Sequence, residues 1–248
     1  MIDIRKNILY EDESVLVCRK PAGVAVQTAR LSEPDMESLL KNYLKSTELY
    51  VIHRLDQPVE GILLFGKTKE AAAVLNRSGD IKKTYCAVVL SEKAELCADQ
   101  KEHTLVDYLI KNGRENTSRV IGKEKKDAKR AKLSYRIQSI MENAGEDNGQ
   151  ITEENQETHP VLALVLLSLE TGRHHQIRVQ MANAGLPLLG DLKYGSEKSI
   201  WISHEKKVEQ VALCACKLSF VHPLTGEKMT FSVQPEGRVF QPFLPVNP

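Results

Sequence analysis

The chain has 248 residues, 42% of them hydrophobic, with 34 Lys and Arg against 33 Asp and Glu for a formal net charge of +1. That is ample for a buried core, and no run approaches the ~20 consecutive apolar residues a membrane span requires. The balance near neutrality argues against a uniformly basic nucleic-acid binder, and five irregularly spaced cysteines (Cys18, Cys86, Cys97, Cys214, Cys216) fit reduced thiols better than a disulfide framework.

Acids occupy the N-terminal positions where a signal peptide has its apolar core, so a cytoplasmic protein is expected. Three β-branched clusters, 8–10, 15–17 and 24–26, are separated by polar turns and read as strands. Over 34–49 the spacing changes to that of a helix, with Ser32 as a plausible cap. Short strands follow at 51–56 and 61–65 around a Gln57-Pro58 turn, then an alanine-rich helix at 69–76 and an alternating strand at 82–90. Weaker strand signals at 103–110 and 131–140 frame a basic block. The stretch 141–158 has almost nothing to bury and reads as a hairpin tip or flexible insertion. The run 161–170 is the most apolar of the chain and suits a central strand; a helix follows over 175–184. After a polar loop, strands at 211–220 and 229–233 flank the hairpin turn HPLTGE. Strands outnumber helices and most connections look like hairpins, so the fold class is α+β: one domain over residues 1–248, around a mixed, mainly antiparallel sheet with flanking helices.

Charge is segregated. Ten Lys or Arg lie between Lys111 and Arg136 against three acids, a local excess of seven, while 142–157 carries only acids. The basic block can meet a polyanion or can be an ordinary solvated surface.

Gly61 to Thr68 matches the phosphate-loop pattern G-x-x-x-x-G-K-[ST]. The loop of a true match needs small or flexible residues whose amides curl around phosphate. Here those positions are Ile62, Leu63, Leu64 and Phe65, which belong in a buried strand, so the nucleotide-binding reading is set aside. The seven histidines show no metal-ligand spacing, and Cys214-Ala-Cys216 lacks nearby histidines, so no metal centre is expected. Asp56 beside Arg54, Tyr85, and the cations Arg173 and Arg178 of TGRHHQIRV remain as candidates for chemistry, although an isolated Asp at a strand end is more often a turn residue.

Read together, VLVCRKPAGVAV, VIHRLDQPVEGILLFGKT, KKTYCAVV, TGRHHQIRVQMANAGLPLLGDLKYG and HPLTGE resemble, in this order, the motifs of the RluA-like family of RNA pseudouridine synthases. The similarity runs from about Asn7 to Val233. His53, Arg54, Leu55, Asp56 and Gly61 match the family signature, but Val59 and Glu60 stand where Thr-Ser is usual. The resemblance implies an isomerase that needs no cofactor and acts on structured rRNA or tRNA. It makes Asp56 the catalytic aspartate, Tyr85 the aromatic that packs on the target base, and Arg178 the cation that pairs with Asp56. Arg54 would fill the position a flipped uridine vacates, while His53, Arg173, Lys125, Lys126 and Lys129 would face RNA. Family members often begin with a small helical RNA-binding domain; here the catalytic strands start at once, so that module is expected to be absent. A monomer is taken as the default oligomeric state. The rival readings are a non-catalytic RNA-binding relative and, more remotely, a phosphate-loop ATPase.

Overall fold

The computed structural model describes residues 2–28, 33–91, 101–141 and 160–248. These pack as two compact units that interleave along the chain. The first holds the described residues up to Tyr85 with Cys214–Pro235 and Asn247–Pro248; the second holds those of Cys86–Leu213 and Glu236–Val246. Cys97, Ser32 and the expected insertion, beyond Met141, lie outside the described residues.

In the first unit, β1 (Ile8–Glu11), β2 (Val15–Lys20) and β4 (Glu60–Gly66) pair antiparallel in sequence. The start of β4 pairs in parallel with β10 (Leu213–Val221), and its end pairs with the two-residue β3 (Tyr50–Val51). The strand β11 (Lys228–Ser232) closes a hairpin with β10, as HPLTGE predicts. The sheet is therefore mixed but mainly antiparallel. Every residue of β4 is buried, which is why Ile62 to Phe65 form a strand and not a loop. Val15, Val17, Ile62, Leu64, Leu75, Leu218 and Phe220 make the core of this unit. Gly61 sits at φ 125, and a Cβ there would overlap the backbone nitrogen, oxygen and Cα of Ala215, so the parallel pairing of β4 with β10 requires glycine.

Two helices accompany this sheet. The first, α1 (Met36–Leu44), is capped by Asp35, whose carboxylate accepts from the Ser38 amide at 2.8 Å. Thr68 caps α2 (Lys69–Ser78) in the same way. The expected strand at 24–26 does not form: the Met36 and Glu37 amides donate to the carbonyls of Ala25 and Val26, and only a single bridge, Ala25 to Asp35, remains. The open amides at the start of α1 take the acceptors a strand would have used.

In the second unit, β9 (Val161–Leu169), β8 (Lys129–Met141), β6 (Glu102–Asn112) and β7 (Thr117–Val120) form an antiparallel series. The strand β5 (Lys82–Ser91) has its first four residues in the first unit and the rest in the second. The second unit also contains α3 (Gln176–Asn183) and α4 (Glu197–Glu205). Sequence periodicity misses both β7, four residues long, and α4, which reads as polar loop. The signal for α4 is its cap, Ser196, whose hydroxyl accepts from the Ser199 amide at 3.1 Å, with Glu197 in the first turn.

Candidate active site

Asp56 lies half-buried in the connection from β3 to β4, in a turn closed by the Val59 amide donating to the Asp56 carbonyl at 3.0 Å. This turn is clamped to the one that follows β2. The Gly23 amide donates to the Gln57 carbonyl at 2.9 Å, and Gln57 Nε2 donates back to the Gly23 carbonyl at 3.1 Å. Gly23 itself is at φ 83, a conformation the Pro-Ala-Gly turn reserves for glycine.

Lys20 makes the second clamp. Its side chain is fully buried, and Nζ donates to the carbonyls of Pro21 at 2.9 Å, Val24 at 2.6 Å and Gln57 at 3.0 Å. Burial pulls this group down to about 7, while the negative charges of Asp56 and Glu60 act in the opposite direction. Three accepting carbonyls require three N–H donors, which only the ammonium has. The hydrogen-bond geometry therefore favours the charged form, and a cation stands beneath the turn that carries Asp56.

The departures from the family signature have a structural account. Val59 is 2% exposed and packs in the core. Glu60 is also buried, and its carboxylate accepts from Arg19 Nη2 at 3.0 Å; the same nitrogen donates to the Gln234 carbonyl at 2.8 Å. Position 60 thus contributes an ion pair between β2 and β4.

Tyr85, 5% exposed on β5, has its hydroxyl pushed up by burial, then by Asp56 and Cys216, so it stays protonated. His53 has both ring nitrogens covered and without a hydrogen-bond partner among the described residues. Burial, then the nearby Lys83, pull its imidazole down to about 3. A neutral His53 cannot meet RNA as a cation. Arg54 is exposed.

Arg178 belongs to the second unit. It is 4% exposed and forms a bidentate pair with Asp191, Nε to Oδ2 at 2.6 Å and Nη2 to Oδ1 at 2.7 Å. Asp191 also accepts from the Lys193 and Tyr194 amides. The sequence motif contains Asp191, but spacing alone does not reveal this role. Arg173 is exposed, its Nε donating to the Arg130 carbonyl at 2.9 Å. Lys125 and Lys126 lie in the connection from β7 to β8, with Lys129 at the start of β8, and all three are exposed. Arg130 and Lys132 are tied to Glu170.

Lys67, the invariant lysine of a phosphate loop, instead pairs with Glu11 at 2.7 Å and donates to the Asp12 carbonyl at 2.5 Å. No group of three or more potential metal ligands occurs among the described residues.

A family model described as RNA pseudouridylate synthase matches residues 14–183. The uncharacterized RNA pseudouridine synthase YhcT of Bacillus subtilis is 31% identical over 232 residues, which cover 89% of this chain and 66% of that protein. Ribosomal large subunit pseudouridine synthase D of Vibrio cholerae is 30% identical, with coverage of 92% and 67%. The chain thus spans about two thirds of the length of these relatives. It spans 90% of tRNA pseudouridine synthase C of Vibrio parahaemolyticus, at 26% identity and 92% coverage of this chain. Among solved structures, human RNA Pseudouridylate Synthase Domain Containing 1 superposes with a TM-score of 0.69 at 22% identity, over 92% of this chain and 83% of that one. This is a likeness of fold.

Proposed function

The chain belongs to the RNA pseudouridylate synthase family, of RluA type, and from that premise we propose that it isomerises specific uridines of structured rRNA or tRNA to pseudouridine, with Asp56 as the catalytic carboxylate. The observation that carries this reading is the double clamp on the Asp56 turn. The turn that carries this half-buried carboxylate is held through the Gln57 carbonyl by Lys20 and Gly23, near a tyrosine whose hydroxyl the carboxylate's charge helps keep protonated.

Pseudouridylation breaks the N-glycosidic bond, turns the uracil and rejoins it to the ribose through carbon-5, with no net redox change. A carboxylate serves as nucleophile or base only while ionised, and the parts proposed for Lys20 and Arg178 are to supply positive charge that favours that form. The uridine must first leave its stack, at a cost of a few kcal/mol. Arg54, exposed beside Asp56, takes the vacated position. Tyr85 offers a fixed aromatic surface to the base, worth about 1–3 kcal/mol on the scale of base–aromatic stacking. The exposed Lys125, Lys126 and Lys129, with Arg173, hold phosphate.

The test compares pseudouridine maps of rRNA and tRNA from cells with and without the gene, together with turnover of the purified protein on the RNA so identified. Asp56→Ala should abolish turnover and leave the melting temperature near wild type. RNA binding without pseudouridine formation in the wild-type protein would support a non-catalytic relative instead. Charge reversal of Lys125, Lys126 and Lys129 should weaken RNA binding and flatten its salt dependence; unchanged affinity would remove these lysines from the interface.

A further inference from the structure

In the second unit a continuous chain of contacts links the β6–β7 hairpin to Arg178. Asn116, in the hairpin turn at φ 50, offers its side-chain oxygen to His174 Nε2 at 3.0 Å. Ser118 of β7 contacts His174 through its hydroxyl, 2.9 Å from Nδ1, and its amide donates to the Tyr194 hydroxyl at 2.8 Å. That hydroxyl lies 2.7 Å from His175 Nδ1, so it can accept from the amide and donate to the imidazole. The two histidine rings stack with centroids 3.7 Å apart, and His175 meets the Tyr194 ring edge-on.

Tyr194 then reaches Arg178 in two ways. Its ring lies against the guanidinium, whose carbon is 5.1 Å from the centroid. Its amide donates at 3.2 Å to Asp191, the carboxylate that grips the same guanidinium. His175, the residue before α3, is at φ 53, a backbone conformation unfavourable for a side chain with a β-carbon, so the surrounding contacts must impose it.

We propose that Tyr194 is a positioning residue for Arg178, braced by the β6–β7 hairpin through Ser118 and the His174–His175 stack. The proposal rests on the pseudouridine synthase reading for its consequence. The hairpin also carries Lys111, Arg114 and Arg119, all exposed. An RNA phosphate held there bears on the element that aims the guanidinium, so hairpin contact contributes to rate as well as to affinity.

Tyr194→Phe keeps the ring over Arg178 and removes the hydroxyl that receives the brace. The expected result is a fall of about tenfold in the single-turnover rate, with the Kd for RNA changed less than about twofold, because the exposed cations are untouched. By NMR, the Arg178 Nε–H should exchange faster with solvent than in the wild type. His174→Ala should act in the same direction and add nothing when combined with Tyr194→Phe, since the link is already cut. A Tyr194→Phe enzyme with wild-type rate and exchange overturns the proposal, as does a rate loss matched by an equal loss of RNA affinity. If Tyr194→Phe does not fold, exchange in His174→Ala decides. If the wild type forms no pseudouridine on any RNA, the family activity fails, and the exchange measurement still decides whether the brace exists.

Discussion

Replacing Glu60 tests whether its ion pair with Arg19 holds β2 to β4. The Glu60 side chain is 6% exposed and that of Arg19 is 15% exposed, with the charges 3.0 Å apart. At an effective dielectric of 20 such a pair attracts by roughly 5 kcal/mol before desolvation, and removing one partner of a buried pair costs about 3–5 kcal/mol because the other charge stays behind. For Glu60→Gln the lower end applies, since the Gln234 carbonyl still accepts from Arg19. A loss of about 3 kcal/mol in a cooperative unit of about 150–250 residues corresponds to a fall of about 6–12 °C in melting temperature. Arg19→Met should cost a similar amount. The double variant, Glu60→Gln with Arg19→Met, should lose clearly less than the sum, with a coupling of about 1–3 kcal/mol. Far-UV circular dichroism in a urea series measures all four proteins. Additive losses would show that the two side chains stabilise the fold independently and would refute the coupling.

Lys20→Met keeps most of the buried volume but releases the carbonyls of Pro21, Val24 and Gln57; turnover should fall at least about tenfold, and stability should fall as well, because buried acceptors lose their donor at about 1–3 kcal/mol each. Gly61→Ala forces a methyl group into the Ala215 backbone at an unfavourable φ, and a loss above about 4 kcal/mol, seen as little folded protein on expression, is expected. Asp12 supplies the pH dependence. Burial raises its pKa, but the amides of Val15 and Ser14 and the side chains of Tyr10 and His222 outweigh that and lower it from 3.8 to about 2. The unfolded chain therefore binds the proton first as pH falls, so the stabilisation by Asp12 is intact above about pH 4 and lost as pH drops through about 2. The melting-temperature gap between wild type and Asp12→Asn should be wide at pH 5 and shrink toward pH 2; a gap independent of pH would show that Asp12 acts without its charge.

The sequence by itself determined the elements whose signals are local. Alternation exposes β5, unbroken apolar runs expose β4 and β9, and the bulky residues of β4 rule out a phosphate loop because they must be buried. The order of five motifs identified the family and singled out Asp56, Tyr85 and Arg178 as the residues to examine. The outline of the fold needed no more than this, because strand and helix periods repeat within a few residues of chain.

Tertiary structure decided the partners. Arg19 meets Glu60, Lys20 meets Gln57 and Asp12 meets His222 across separations of 41, 37 and 210 residues, distances over which no periodic pattern carries information. The pairing of β2 with β4 brings the first together, and turns at strand ends bring the other two. Val24 to Val26 has the composition of a strand, but its carbonyls go to Lys20 and to the first amides of α1. Arg178 could be recognised in the sequence. Its grip on Asp191 and its brace through Tyr194 depend on how α3, the turn after it and the β6–β7 hairpin pack together, and that is set by the folded chain alone.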